Sequence, residues 1–382
     1  MSADRFSIPT LDGRTVLRGQ VDWPDPWPRG AGRLPLLLIV PGGGFMDRDG
    51  QLGDSGSERD LVFRDLAAAA TAAGIAALRW DSRGISCSGL TMPVCAGSAT
   101  AEEGMQHFID HCIDEPIRGG VTPENLLSDI EQVAGHAAHH PQIDPDRVVV
   151  WAHSEGTMNA ARLVQAGRLV ARGLVLVAPV IESPRASQWW LDVGRVVAAV
   201  MAWDADGDGR VSDADVRAGH PADVLFQMLG TPLEELLPDG DHWTAETLRA
   251  RLDRRHADLA SATLAADDAA PFAFPAVAGM PSPVYASFRW RKQWFRDDLP
   301  VIDLLTDFPG RIGFHFGAID CQNPVARQVH LLAEKMPAFR RAPTWVVHPD
   351  RGHTLRAHHP LLGPLDREAR DRLVQDVLAM LA

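Results

Sequence analysis

The chain has 382 residues, 46% of them hydrophobic and 23% charged, with a formal net charge of -13 at pH 7. That length buries a large core and suits one sizeable domain with an insertion. The acidic balance and the lack of basic runs exclude nucleic acid or an anionic membrane surface as the main partner, and no apolar run is long enough to span a bilayer. The start, Met1-Ser2-Ala3-Asp4-Arg5, has no cationic stretch followed by an apolar one, so no signal peptide is expected and the protein is expected in the cytoplasm. Cys87, Cys95, Cys112 and Cys321 lack metal-ligand or redox spacing, which makes free thiols the expectation, with a Cys87–Cys95 pairing across a loop as the alternative.

Taken in chain order, strand-like runs occur at Leu36–Val40, Ile75–Trp80, Val148–Trp151, Leu174–Val177, Ile312–Phe316 and Trp345–Val347. Helix-like stretches lie between and after them, at Glu58–Ala73, Glu124–Ala138, Ala160–Val164, Pro324–Lys335 and Leu365–Leu381. Strand alternating with helix predicts an α/β fold with a doubly wound, mostly parallel sheet. The alternation breaks between residues 181 and 300, too long a span for one connection. The expected organisation is therefore a core of residues 1–180 and 301–382, with a mainly helical cap insertion at 181–300. Trp189, Trp190, Trp203, Trp243, Trp290 and Trp294 fall in that insertion. They either wall a pocket beside the core or glue the insertion to the sheet.

The first strand ends in Pro41-Gly42-Gly43-Gly44-Phe45-Met46-Asp47-Arg48-Asp49-Gly50. Its glycines let backbone N–H groups turn toward a ligand, and their spacing matches neither nucleotide-binding pattern. Further on, Val148-Val149-Val150-Trp151-Ala152-His153-Ser154-Glu155-Gly156 runs from a buried strand into a helix with Ser154 at the turn. Only small residues fit two positions either side of such an apex, and Ala152 and Gly156 stand there. Read alone, the serine is a nucleophile or merely a turn former. Acyl transfer also needs a base, an acid to orient it and N–H donors for the oxyanion, all from loops at the carboxyl ends of strands. Gly43 or Gly44 with the N–H of Glu155 would supply the donors. Asp320, four residues past a strand and just before Pro324, is either the acid or a helix cap. His353 follows the last strand; His348, His358 and His359 are rival bases, and Asp350 a rival acid.

The order Ser154, Asp320, His353, with the elbow and the Gly-rich loop, resembles the α/β-hydrolase superfamily. The resemblance covers Leu36–Val180 and residues from about 300 onward. Asp81-Ser82-Arg83-Gly84 looks like the Asp-x-Arg-Gly turn common in these hydrolases, although Ser86 replaces a usual glycine. Ala152-His153-Ser154-Glu155-Gly156 with Asp47-Arg48-Asp49-Gly50 is similar to a branch related to dienelactone hydrolase and prolyl-oligopeptidase-type enzymes. The resemblance implies Ser154 as nucleophile, Asp320 as acid, His353 as base, and no catalytic cofactor. The implied activity is hydrolysis of a carboxylic ester or related acyl bond in a small-molecule substrate. A peptidase or amidase of the same fold is the alternative, and the lack of a propeller-like repeat before the core leans away from it.

A second motif lies inside the insertion. Asp204-Ala205-Asp206-Gly207-Asp208-Gly209-Arg210-Val211-Ser212-Asp213-Ala214-Asp215 matches the twelve-residue EF-hand loop position by position. Ligands would be Asp204, Asp206, Asp208, the carbonyl of Arg210, Ser212 directly or through water, and Asp215. Carboxylates at alternate positions repel one another unless a cation neutralises them. Helix-like sequence flanks the loop at Gln188–Ala202 and Asp213–Leu229. The expectation is a structural calcium that braces the cap. Asp in place of Glu at the twelfth position weakens selectivity over magnesium. A solvated acidic turn, a calcium switch, or a calcium-dependent binding protein on a catalytically silent scaffold are the other readings.

Overall fold

In the strand Leu34–Val40, Leu36, Leu38 and Val40 pack into one helical layer, while Leu37 and Ile39 pack into the other. Both faces are covered, which is why the sequence shows a continuous apolar run instead of alternation. The computed structural model describes residues 2–25, 32–54, 59–86, 101–229, 231–275, 282–358 and 364–382. Cys87 and Cys95 lie outside the described residues.

The main sheet has eight strands: β1 (Ser2–Pro9), β2 (Val16–Trp23), β3 (Leu34–Val40), β4 (Ala76–Trp80), β5 (Ile143–His153), β6 (Gly173–Val177), β7 (Arg311–Gly317) and β8 (Thr344–His348). Their order across the sheet is β1-β2-β4-β3-β5-β6-β7-β8. Only β2 runs against its neighbours; from β4 to β8 every pairing is parallel. The two N-terminal strands have no counterpart in the sequence reading. Most side chains of β1 are exposed, so no apolar pattern marks it.

Helices α1 (Val62–Ala72), α2 (Pro123–Ala138), α3 (Glu155–Gln165), α4 (Val325–Lys335) and α5 (Arg367–Leu381) form the two outer layers. On one face, Phe63 and Leu66 of α1 and Leu373 and Val377 of α5 meet Val149, Trp151 and Val175. On the other, Ile130 and Val133 of α2, Met158 of α3 and Leu332 of α4 meet Val150, Leu176, Phe314 and Phe316. Helix α2 starts cleanly because Thr122 and Asn125 form a reciprocal capping box with Pro123 between them.

Residues 178–310 connect two adjacent strands and add nothing to the main sheet among the described residues. The helices Arg195–Met201, Asp213–Gly219 and Ala245–Ala265 enclose a small core of their own, including Val197, Val211, Phe226, Trp243 and Leu248. The helix Phe288–Arg296 instead sends Trp290 and Trp294 into the core beneath the sheet. Trp189, Trp203 and Trp243 thus belong to the core of the insertion and Trp290 and Trp294 to that of the sheet, while Trp190 Nε1 donates to the carbonyl of Cys321. Neither flanking helix is continuous as expected: a π-helical turn at Trp190–Gly194 interrupts the first, and a 3₁₀ turn at His220–Ala222, containing Pro221, interrupts the second. No helix among the described residues is long and apolar enough to cross a membrane.

Candidate active site

Strand β5 ends at His153 and α3 begins at Glu155, so Ser154 alone makes the turn. Its backbone sits at φ 51° and ψ -125°, a strained region for a residue with a side chain. The Ser154 N–H donates to the carbonyl of Val177 at 3.0 Å, tying the apex to β6. Gly156 is forced by space, since a Cβ there would lie 2.3 Å from the carbonyl oxygen of Pro41. Ala152 is fully buried, and its methyl fits within the core.

Three loops at the carboxyl ends of β5, β7 and β8 converge. His353 Nε2 lies 3.0 Å from Ser154 Oγ, and His353 Nδ1 lies 2.9 Å from Asp320 Oδ2. Both His353 and Asp320 are almost fully buried. The other oxygen of Asp320, Oδ1, accepts the N–H groups of Gln322 at 2.8 Å and Asn323 at 3.1 Å. Asp320 thus shapes its own turn with one oxygen and faces the imidazole with the other; it does not cap α4, which begins at Val325 behind Pro324 without a side-chain cap.

The rival residues lie elsewhere. His348 Nε2 is 3.0 Å from His315 Nδ1, and His315 Nε2 is 3.0 Å from the Asp376 carboxylate. Burial, with His315 alongside, pushes His348 down to about 4, so it is neutral near neutral pH. Asp350 sits at positive φ, its carbonyl accepting the N–H of His358 at 2.7 Å. His359 is outside the described residues.

His153 has a part that motif reading did not assign. Its Nε2–H donates to the carbonyl of His353 at 3.1 Å. Burial, with His353 alongside, pushes it down to about 3 and keeps it neutral. No signal in the sequence marks it, because the position before an elbow serine carries no fixed residue type in the pattern.

The Gly-rich loop is held from below by charge. Arg48 pairs with Asp81 through Nε at 3.1 Å and a terminal nitrogen at 2.7 Å, while its own N–H also donates to Asp81. Arg79 pairs with Asp22 at 2.7 Å and with Asp49, and donates to the carbonyl of Arg48 at 3.0 Å. The Asp-Arg-Asp-Gly stretch and the Asp-x-Arg-Gly turn are thereby one network. Arg83 of that turn makes a bidentate pair with Asp129 of α2, at 2.9 and 2.6 Å.

Gly42, Gly43 and Gly44 line a cavity together with Glu155, Asn159, Arg118, Tyr285 and Trp290. About 40 Å³ of it is open to water, room for roughly two or three water molecules. The Glu155 carboxyl is buried within this wall. Its Oε1 accepts from Trp290 Nε1 at 2.7 Å, and its Oε2 packs where a Cβ on Gly43 would stand, 2.4 Å away. Burial raises the pKa of Glu155. Arg118 is buried too: it donates to the carbonyls of Arg83 and Tyr285, and its Nε has no partner. Burial lowers it to about 10.

In the insertion, Asp204, Asp206 and Asp208 bring carboxylate oxygens within 4.8 Å of one another. The N–H groups of Gly209 and Gly207 each donate to Asp204 at 2.8 Å and hold its carboxyl below the ordinary value. Ser212 and Asp215 form a capping box on the next helix, with Asp215 Oδ2 accepting from Ser212 N at 2.8 Å and Oγ at 2.7 Å. Val211 and Ser212 pair antiparallel with Trp243 and His242. That second segment likewise runs into a helix through a capping box, at Thr244 and Thr247. The loop therefore has a partner segment without acidic ligands at matching positions, which its sequence concealed.

No protein-family model matches the sequence, and no curated protein matches it. Among solved structures, the chain is similar to the α/β hydrolase GrgF from Penicillium sp. sh18, at 15% identity and a TM-score of 0.50, over 100% of this chain and 98% of that one. It is similar to DcsB in complex with its substrate analogue, at 14% identity and a TM-score of 0.52, over 100% and 99%. A third neighbour is the hypothetical protein PA2218 from Pseudomonas aeruginosa, at 13% identity and a TM-score of 0.52, over 99% and 94%. The chain has the α/β-hydrolase fold. In that fold, loops at the carboxyl ends of the strands form the working face, and Ser154, Asp320 and His353 all lie there.

Proposed function

We propose that the protein is a serine hydrolase that cleaves a carboxylic ester in a small substrate, with residues 181–300 as a cap on the α/β-hydrolase core. One observation carries the reading: His353 stands between Ser154 Oγ and the Asp320 carboxylate with one ring nitrogen on each. Such an array assigns each atom a task. Ser154 Oγ attacks the ester carbonyl as its proton passes to His353 Nε2. The buried Asp320 holds Nδ1–H and stabilises the imidazolium. The carbonyl oxygen becomes an oxyanion held by the N–H of Glu155, at the start of α3, and by that of Gly43 or Gly44. The imidazolium protonates the leaving alkoxide, leaving an acyl-serine. Water, deprotonated by the same imidazole, then releases the acid.

The motif similarity favours the branch related to dienelactone hydrolase and prolyl-oligopeptidase-type enzymes. The Asp204, Asp206 and Asp208 loop, rich in hard oxygen donors, suits a calcium ion that braces the cap, with magnesium as the weaker fit. The test is labelling by a fluorophosphonate, which needs an assembled base and oxyanion hole. The expected adduct is on Ser154, and a folded protein that stays unlabelled would sink the reading.

A further inference from the structure

The residue after the nucleophile is an acid, and it is buried where a negative charge is least welcome. Glu155 is 4% exposed, and its own N–H is a donor that the proposed reaction turns on the oxyanion. Its carboxyl packs against Gly43, one of the two candidate donors on the other side of the same hole. No ion pair reaches it among the described residues. An ionised carboxylate there would oppose the developing oxyanion through a water-poor medium.

We propose that Glu155 is a positioning residue that must be protonated: as a neutral acid it braces Gly43 of the oxyanion loop, and its ionisation shuts the site. The proposal rests on the serine-hydrolase reading and deepens it.

The groups around Glu155 fit a neutral acid. Trp290 Nε1–H, from the helix Phe288–Arg296, donates to Oε1, a bond that either protonation state accepts. Tyr285, from the strand Val284–Ser287, brings its hydroxyl to the same spot against Gly43. Arg83, across the cavity, is committed to two carboxylates, Asp129 and Asp12. Arg162, further along α3, is committed to Asp297. His153 on β5 is neutral, and His353 across the elbow must be neutral to act as base. Arg118, from the helix Glu115–Gly119, is the opposing influence: a buried cation in the same cavity, spent on two backbone carbonyls. It favours the carboxylate, whereas burial, the largest effect on Glu155, favours the acid.

The measurement is the pH profile of kcat/KM on p-nitrophenyl acetate, corrected for spontaneous hydrolysis, for the wild type, Glu155→Gln and Arg118→Met. The wild type should lose at least tenfold on an alkaline limb. Glu155→Gln, neutral at every pH, should lose that limb, and Arg118→Met should move it to higher pH. Infrared spectra of protein carrying ¹³C-glutamate should contain, at neutral pH, a protonated-carboxyl band that Glu155→Gln lacks. This readout needs no turnover and holds if one variant fails to fold. The proposal is overturned if folded Glu155→Gln keeps the wild-type alkaline limb, which then belongs to Arg118 or Tyr285, or if the infrared band is missing. Absence of any fluorophosphonate adduct on wild-type Ser154 would instead sink the hydrolase reading, so the two failures are distinguishable.

Discussion

His153 Nε2–H donates to the carbonyl oxygen of His353, so the residue before the elbow serine carries the backbone of the proposed base. The contact is buried and joins the β5 elbow to the loop after β8, so the 3.0 Å approach of His353 to Ser154 depends on it. Replacing His153 with Phe keeps a ring and removes the donor. Losing one such bond costs about 1 kcal/mol, so kcat should fall roughly five- to tenfold on a neutral ester with KM little changed. A KM effect alone would assign His153 to substrate binding instead.

Asp320→Asn separates the proposed acid role from the shaping of the turn. The amide oxygen can still accept from Gln322 and Asn323, so urea melts should shift by less than about 1 kcal/mol. Its NH₂ group, however, would face Nδ1 and favour the wrong tautomer, and kcat should fall by about 10⁴. Equal losses of stability and activity would mean that the aspartate only shapes its turn.

Gly156→Ala places a methyl on the carbonyl of Pro41 at 2.3 Å. Overpacking of this kind costs about 1–3 kcal/mol, and the elbow must open to relieve it. The variant should melt earlier and lose fluorophosphonate labelling, whereas an alanine two residues before the serine, at position 152, is native.

Two buried imidazoles should cost stability on acidification. His153 and His348 have folded-state values of about 3 and about 4, below the ordinary imidazole value of about 6.5. Between those limits the unfolded chain binds protons that the folded chain does not. The contribution is therefore complete above about pH 6.5 and is lost as pH falls, by about 1.4 kcal/mol per unit for each group. Urea melts from pH 7 to 5 should reveal it, and His348→Gln should lower the slope. The comparison with His348→Gln is the readout, because the buried Glu155 and Asp129 carboxyls, both raised, act in the opposite sense over this range; a slope unchanged by the substitution would contradict the His348 assignment.

Calcium should stabilise the fold if the Asp204 loop holds it. Saturation to 100 times Kd adds about 2.7 kcal/mol, visible as a higher Tm in calcium than in chelator. Asp208→Ala should abolish the difference. No shift in the wild type would leave the loop a solvated turn, and a gain with magnesium alone would exchange the ion.

The candidate site was legible because its residues sit in loops, each placed by an apolar strand. Ser154, Asp320 and His353 each follow such a strand, and their order could be read directly. Strands β1 and β2 were not legible, because β1 is exposed along most of its length and has nothing to bury in a pattern. The break at Trp190 was hidden because apolar residues continue through it and packing decides locally, whereas Gly219 and Pro221 already marked the break at His220, which a helix drawn through to Leu229 passed over. The roles of His153 and of the Glu155 carboxyl belong to neither class. They depend on what lies across the elbow, 200 residues away for His153 and 135 for the Trp290 contact of Glu155.

Ser154 and His353 are 199 positions apart, and synthesis at about 5–20 residues per second separates their emergence by roughly 10–40 s. The strand that delivers His353 is the outermost of the sheet and the last to be made, and α5, which closes one face, follows it. Throughout that interval the serine is an ordinary hydroxyl without a proton acceptor. On the proposed reading, a nascent chain carrying this serine past other molecules on the ribosome is thus chemically silent, and reactivity arrives only with the finished sheet.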